Sequence, residues 1–293
     1  MVLYCERIKL KMSQVNVACR MDGALMEIKE SAKVIEIASA CNNHCKFCNL
    51  DESGDGARVL GGSDSTQAQL SESYSQGYRD VTFVGAEPTL SDYLPEALAS
   101  ARAAGFERIG LQTNGRRLAY RSYTASLEQA GLTHVEITLH GPRGGVHDFH
   151  TDVPNSFAHT VQGTLVALKA GLKVGVSTMV TRSNFRELEG LVFLFVKLKV
   201  RHWQLAGVLD VGAARANGQA LTANMDMAAP YVRRALAVAR QHGISVSFLN
   251  LSLPNTEAES ALESQKTDAT QPRTGEVLRP AVAEPFRYVA SGS

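Results

Sequence analysis

The sequence predicts an α/β fold, a partial (βα)6 TIM-like barrel preceded by a β-hairpin and followed by a polar tail. Three observations predict it. From Lys33 onward, short β-rich runs alternate with longer helical ones. Three helical runs end in an Ala-Gly step that opens onto a new apolar run, at Ala104-Gly105-Phe106, Ala130-Gly131-Leu132 and Ala170-Gly171-Leu172; glycine after a helix supplies the left-handed turn that sends the chain back along a sheet. Hydroxyls, amides, glycines and a carboxylate crowd the positions just after the strands, where parallel α/β sheets gather their ligands.

Residues 1–33 alternate weakly, and two short strands about a turn at Asp22-Gly23 account for them as an appended hairpin. The barrel, residues 34–250, opens with a strand at Val34-Ile35-Glu36-Ile37. Helices are expected over 67–77, 92–104, 118–130 and 157–170, with strands over 80–84, 108–112, 134–139 and 173–180 between and after them. A helix over 184–198 takes Asn184 as its N-cap, and 202–205, 225–242 and 244–249 follow as strand, helix and strand. Repeated units of this kind need parallel strands joined by right-handed crossovers. Residues 251–293 form the tail: to about Glu284 it is Thr, Glu, Ala, Ser, Gln and Pro with almost no apolar period, a loop or disordered segment, and Pro285-Phe286-Arg287-Tyr288-Val289 is a candidate docking piece.

A chain of 293 residues with 44% apolar content, 20% charged content and a net charge of +1 has the composition of an ordinary soluble protein, with no pull towards nucleic acid. Glu6, Arg7, Lys9 and Lys11 interrupt the N-terminus, so no secretory signal is read there. The most apolar window, 188–200, contains Glu189 and two lysines, so no membrane span is expected. A reducing cytoplasm is the consistent location. Cys5 and Cys19 read as small buried hydrophobes.

The chemistry begins at Ala38-Ser39-Ala40-Cys41-Asn42-Asn43-His44-Cys45-Lys46-Phe47-Cys48, where three cysteines share a short polar loop directly after a strand. Such a trio can turn its sulfurs towards one point and leave a coordination position open. The later strand ends carry Gly85-Ala86-Glu87-Pro88-Thr89, Gln112-Thr113-Asn114-Gly115, Thr138-Leu139-His140-Gly141, Ser177-Thr178-Met179-Val180-Thr181-Arg182 and Ala206-Gly207-Val208-Leu209-Asp210.

With Phe47 before the last cysteine and the Gly-Ala-Glu-Pro turn 37 residues beyond it, the chain resembles the radical S-adenosylmethionine (radical SAM) enzyme family over roughly residues 34–210. The resemblance implies that Cys41, Cys45 and Cys48 hold a [4Fe–4S] cluster whose fourth iron takes the amino nitrogen and carboxylate of S-adenosylmethionine. One electron, from a donor such as flavodoxin or ferredoxin, then cleaves the sulfonium to a 5′-deoxyadenosyl radical that abstracts a substrate hydrogen. Gly85, Ala86, Glu87 and Pro88 match the turn that meets the cofactor's amino group. Thr138 matches a hydroxyl near the ribose or the methionine carboxylate, Thr113 and Asn114 the Thr-Asn-Gly step, and Thr178 a residue facing the same rim. Ala86 replaces the usual glycine. His140 stands where many relatives carry aspartate and is the catalytic candidate on the substrate side. An arginine for the cofactor carboxylate has to come from Arg182 or Arg143.

Plainer readings stand beside these. The cysteines could be a structural zinc knuckle with His44 or a distant residue as fourth ligand, Glu87 a surface carboxylate in a proline turn, His140 an ordinary strand-end histidine, and Thr113, Asn114 and Thr178 strand-end caps. His147 and Asp148 are read as organising a loop, and Trp203 and Tyr78 as packing. No cysteine follows Cys48, so a single-cluster enzyme is expected, with a small-molecule or nucleotide-sugar biosynthetic substrate. Two alternatives remain: a maturase of a ribosomally made peptide that docks on residues 1–33, and a non-catalytic iron–sulfur or zinc-binding module.

Overall fold

The computed structural model describes residues 17–21, 24–28, 32–48 and 62–254. Val17–Met21 (β1) and Ala24–Ile28 (β2) pair antiparallel with Met21 opposite Ala24. The expected turn at Asp22-Gly23, Cys5 and the whole tail beyond Pro254 lie outside the described residues.

Seven parallel strands follow in chain order across one sheet: Lys33–Ala38 (β3), Asp80–Gly85 (β4), Arg108–Thr113 (β5), His134–Thr138 (β6), Lys173–Val180 (β7), His202–Gly207 (β8) and Ser245–Leu249 (β9). The helices between them are Ser63–Ser75 (α1), Leu94–Ala103 (α2), Arg121–Ala130 (α3), Gly144–Thr151 (α4), Ser156–Lys169 (α5), Leu188–Leu198 (α6), Ala213–Leu221 (α7) and Met225–Gln241 (α8). Because the order is linear, β3 and β9 are the edges of the sheet among the described residues and the barrel is partial.

Alternation along the strands separates two faces. In β6, Val135 and Ile137 are fully buried in the main core, and so are Val176 of β7 and Trp203 and Leu205 of β8. Trp203 meets Phe195 of α6 edge to face, with ring centroids 5.5 Å apart, which fixes this as the side covered by helices. The intervening residues Glu136, Thr138, Ser177 and Gln204 therefore share the concave side. The Ala-Gly steps behave as their sequence predicts, with Gly105, Gly131 and Gly171 at φ 96°, 122° and 83°.

Three expectations change. The helix expected over 118–130 divides into a 3-10 turn at Arg117–Ala119 and α3, because Tyr120 is extended. Asn184 precedes a 3-10 turn, Phe185–Glu187, without capping it. Its amide instead accepts from Thr181 N at 2.8 Å and donates to the carbonyls of His140 (2.9 Å) and Met179 (2.8 Å), tying the ends of β6 and β7 together. Finally, α4 and α7 fall in stretches expected to be loop. Among the described residues no helix is long and apolar enough to cross a membrane.

Candidate active site

The ends of β3 and β4 approach so closely that a side chain at position 85 is excluded. Gly85 lies at φ 131°, and a Cβ there would stand 2.4 Å from the Ala38 carbonyl oxygen. The next two backbone amides stitch the turn to the start of the cysteine loop: Ala86 N donates to Ala38 O and Glu87 N to Ala40 O, both at 2.9 Å. Ala86 is outside the left-handed region, so alanine fits where the family usually has glycine.

Glu87 is 1% exposed. Its Oε1 accepts from Thr89 N (3.1 Å), Thr89 Oγ1 (2.5 Å) and Thr113 Oγ1 (2.6 Å), and its Oε2 from Asn114 N (2.7 Å). This carboxylate joins the turn, held in the 3-10 segment Pro88–Leu90, to the end of β5. It is not a surface group, and only Oε2 has room for another donor.

Asn114 extends the same network to the cysteines. Its Nδ2 donates to Asn42 Oδ1 at 2.6 Å and stands 3.9 Å from Cys41 Sγ, while Asn43 N donates to that sulfur at 3.3 Å. Arg116, which the sequence reading passed over, reaches the loop as well, donating through Nη1 to the Asn42 carbonyl and to Asn43 Oδ1. Cys41 is exposed and Cys45 and Cys48 are half-buried, all three as free thiols. Burial, followed by the neighbouring Cys41 and Cys48, pushes the Cys45 thiol up to about 12.

Mutual repulsion of this kind is relieved when the thiolates bind a cationic centre. Among the described residues no group of three or more His, Cys, Asp or Glu is arranged to hold a single metal ion. Three free thiols on one loop are the donor type that an iron–sulfur cluster takes.

The cysteine loop leans on α4. His44 N donates to Thr151 O at 2.9 Å and Lys46 N to His150 O at 3.1 Å. Phe47 packs edge to face on His140 with centroids 4.7 Å apart, and His140 stacks on His147 at 5.6 Å. His140 is 3% exposed, its Nδ1 accepts from Met179 N at 3.3 Å, and burial, with His147 and His150 beside it, holds its pKa well below the usual range. Burial therefore favours the neutral imidazole, packed between the cysteine loop and α4.

His147 accepts from His140 N at 3.1 Å, and burial lowers it to about 4. His150 bridges the Val146 carbonyl (2.6 Å) and Thr181 Oγ1 (2.7 Å). Asp148 does organise a local turn, accepting from Asn155 N, Ser156 Oγ and Phe157 N at 2.8 Å each.

Thr178 lies apart from Thr138. Its hydroxyl donates to Leu139 O at 2.7 Å and accepts from Trp203 Nε1 at 2.9 Å, so it belongs to the helix-covered face and not to the rim. Thr138 is half-buried on the concave side and makes no side-chain hydrogen bond among the described residues. Of the two arginines considered, Arg143 is paired with Glu187 at 2.6 Å, whereas Arg182 is exposed, has no ion pair among the described residues and is anchored by its backbone N to Leu221 O at 2.8 Å. The unforeseen α7 closes over the same corner: Ala213 N donates to Cys48 O at 2.9 Å, and Ala214 and Leu221 pack with Phe47.

One concave residue carried no sequence signal beyond its place in a strand. Glu136 lies between Gln112 and Gly175 in the sheet, and its Oε1 is sealed from solvent without a hydrogen-bond partner. Burial raises its carboxyl to about 7 against the opposing pull of Ser177.

A family model described as the Radical SAM superfamily matches residues 35–195, more than half of the chain. The chain belongs to the radical SAM superfamily. A [4Fe–4S] cluster and S-adenosylmethionine are the cofactors of this enzyme superfamily. A probable GTP 3′,8-cyclase of Sulfolobus acidocaldarius is 33% identical over 152 residues, 51% of this chain and 47% of the relative. An AdoMet-dependent heme synthase of Oleidesulfovibrio alaskensis is 24% identical over 189 residues, 64% of this chain and 48% of the relative. The solved structure of Streptococcus suis SuiB bound to S-adenosylmethionine shares the fold with a TM-score of 0.62 at 15% identity, over 80% of this chain and 52% of SuiB. This radical SAM chain thus spans about half the length of the curated relatives it matches.

Proposed function

We propose that this chain carries the cofactor core of a radical SAM enzyme, with a [4Fe–4S] cluster on Cys41, Cys45 and Cys48, that takes hydrogen from a small-molecule or nucleotide-sugar biosynthetic substrate. The observation that supports this most is the buried join in which Glu87 and Asn114 tie the Gly85–Pro88 turn, the end of β5 and the cysteine loop into one network. With both cofactors bound, the chemistry supplied is one electron, from a donor such as flavodoxin or ferredoxin, and a carbon-centred radical able to remove hydrogen.

The chain's own residues bind and orient. Three thiols give up their protons to become ligands. Glu87 fixes the turn through Oε1, leaving Oε2 and the backbone carbonyls for the cofactor's amino group. Thr138 offers its hydroxyl on the concave side, and Arg182 is the arginine for the cofactor carboxylate. The substrate then meets the concave face of β6 to β8, where Glu136, Ser177 and Gln204 stand.

Anaerobic reconstitution followed by reduction tests the reading. The wild-type chain should release 5′-deoxyadenosine from S-adenosylmethionine and the Cys45→Ala variant should not. A wild-type chain that binds one zinc and leaves the cofactor intact would instead be a non-catalytic metal module.

The antiparallel pair β1–β2 ahead of the barrel favours a second reading, because an open sheet edge can add an extended peptide as a further strand. SuiB, which shares the fold, has been solved bound to the precursor peptide SuiA. Binding of a leader peptide encoded beside this gene, lost on deletion of residues 1–31, would support peptide maturation over a small-molecule substrate.

A further inference from the structure

The cations around the cysteine loop differ in how they are balanced. Lys46 Nζ meets Asp152 Oδ1 at 2.7 Å, and Arg143 meets Glu187 at 2.6 Å. Arg116 has no such counterpart: its Nε makes no hydrogen bond, and no carboxylate pairs with it among the described residues. Its Nη1 instead donates to the Asn42 carbonyl and, at 2.9 Å, to Asn43 Oδ1, two groups that lie between Cys41 and Cys45. Its backbone N donates to Asn114 Oδ1 at 3.0 Å, and Asn114 in turn holds Asn42. The guanidinium is thus fixed, half-buried, against the segment joining two cysteines.

We propose that Arg116 is a positioning residue that raises the reduction potential of the centre held by Cys41, Cys45 and Cys48. This rests on the cluster reading above. Adding an electron to a thiolate-bound cluster makes it more negative, so a nearby uncompensated cation stabilises the reduced form more than the oxidised one. Partial burial keeps that interaction from being screened away. The same guanidinium orients the loop, because both of its acceptors belong to the loop.

The test uses the full chain, reconstituted anaerobically, with iron content and an EPR-monitored redox titration for the wild type, Arg116→Gln and Arg116→Lys. Arg116→Gln should keep its iron and move to a more negative midpoint, with about tenfold less reduced cluster at a fixed solution potential, a shift of about 59 mV for one electron. Arg116→Lys, which keeps the charge, should recover most of that shift. An unchanged midpoint in Arg116→Gln, or an equal drop in both variants, overturns the assignment. If Arg116→Gln loses its iron, Arg116→Lys decides: wild-type iron content and midpoint support the role of charge, and loss of iron there overturns it in favour of loop geometry alone. A wild-type chain that takes up no iron overturns the cluster reading and this inference together.

Discussion

Glu87 follows the end of β4 and Glu136 lies within β6, and the protein treats their carboxylates in opposite ways. Glu87 gathers four donors from Thr89, Thr113 and Asn114, so its burial is compensated at every step. Glu136 faces the concave side with Oε1 unpartnered, and its carboxyl is pushed up to about 7. The first arrangement makes a rigid corner between the turn after β4 and the end of β5; the second leaves one buried carboxylate oxygen uncompensated, which is costly.

Substitutions in the two places should have unequal and partly opposite effects. The largest effect belongs to the corner that Glu87 supports. Cys45→Ala should abolish iron binding, because two thiolates do not hold the cube; an iron and sulfide assay showing full retention would contradict the ligand assignment.

Glu87→Gln places amide hydrogens where donors already point, and should cost on the order of 3 kcal/mol in chemical denaturation while weakening S-adenosylmethionine binding. Glu136→Gln should act in the opposite direction. With the folded pKa raised from 4.5 to about 7, the stability that protonated Glu136 contributes is complete below 4.5 and is lost as pH rises through 7. The amide keeps the neutral shape, so Glu136→Gln should stabilise by on the order of 2 kcal/mol at pH 8 and by nearly nothing at pH 4. A pH-independent difference would remove the buried carboxylate from the explanation.

His147 contributes with the reverse sign. Its pKa falls from 6.5 to about 4, so its contribution is complete above 6.5 and is lost as the pH drops through 4. The smallest effects separate two threonines. Thr178→Val should cost about 1–2 kcal/mol by leaving Trp203 Nε1 unpaired, without altering cofactor affinity. Thr138→Val should leave the melting temperature unchanged and reduce that affinity, as isothermal titration would show.

The barrel was legible in the sequence because its signals are local and repeated: alternating runs, and Ala-Gly steps whose glycines all take positive φ. The cysteine loop and the Gly85–Pro88 turn were legible because their residue types are uncommon and their spacing is fixed. What could not be read was which way equivalent polar residues point. Thr178 and Thr138 both sit in the last residues of a strand, and only the placement of Trp203 against Phe195 shows that one faces the helices and the other the concave side.

The burial of His140 was illegible for a similar reason, since it depends on α4, a helix that opens on Gly144-Gly145 and carries little helical pattern of its own. Glycine-initiated α4 and alanine-rich α7 both depend on tertiary contacts with the cysteine loop. Arg116 escaped notice because its partners are the backbone and amide groups of Asn42 and Asn43, 74 and 73 positions away.

If Cys41, Cys45 and Cys48 hold a cluster with one iron open to S-adenosylmethionine, EPR of the reduced, reconstituted chain will show it. Adding S-adenosylmethionine should change the spectrum of the reduced cluster in the wild type, because the cofactor reaches the open iron. Identical spectra with and without it, in a chain that holds about four irons and four sulfides, would contradict the account.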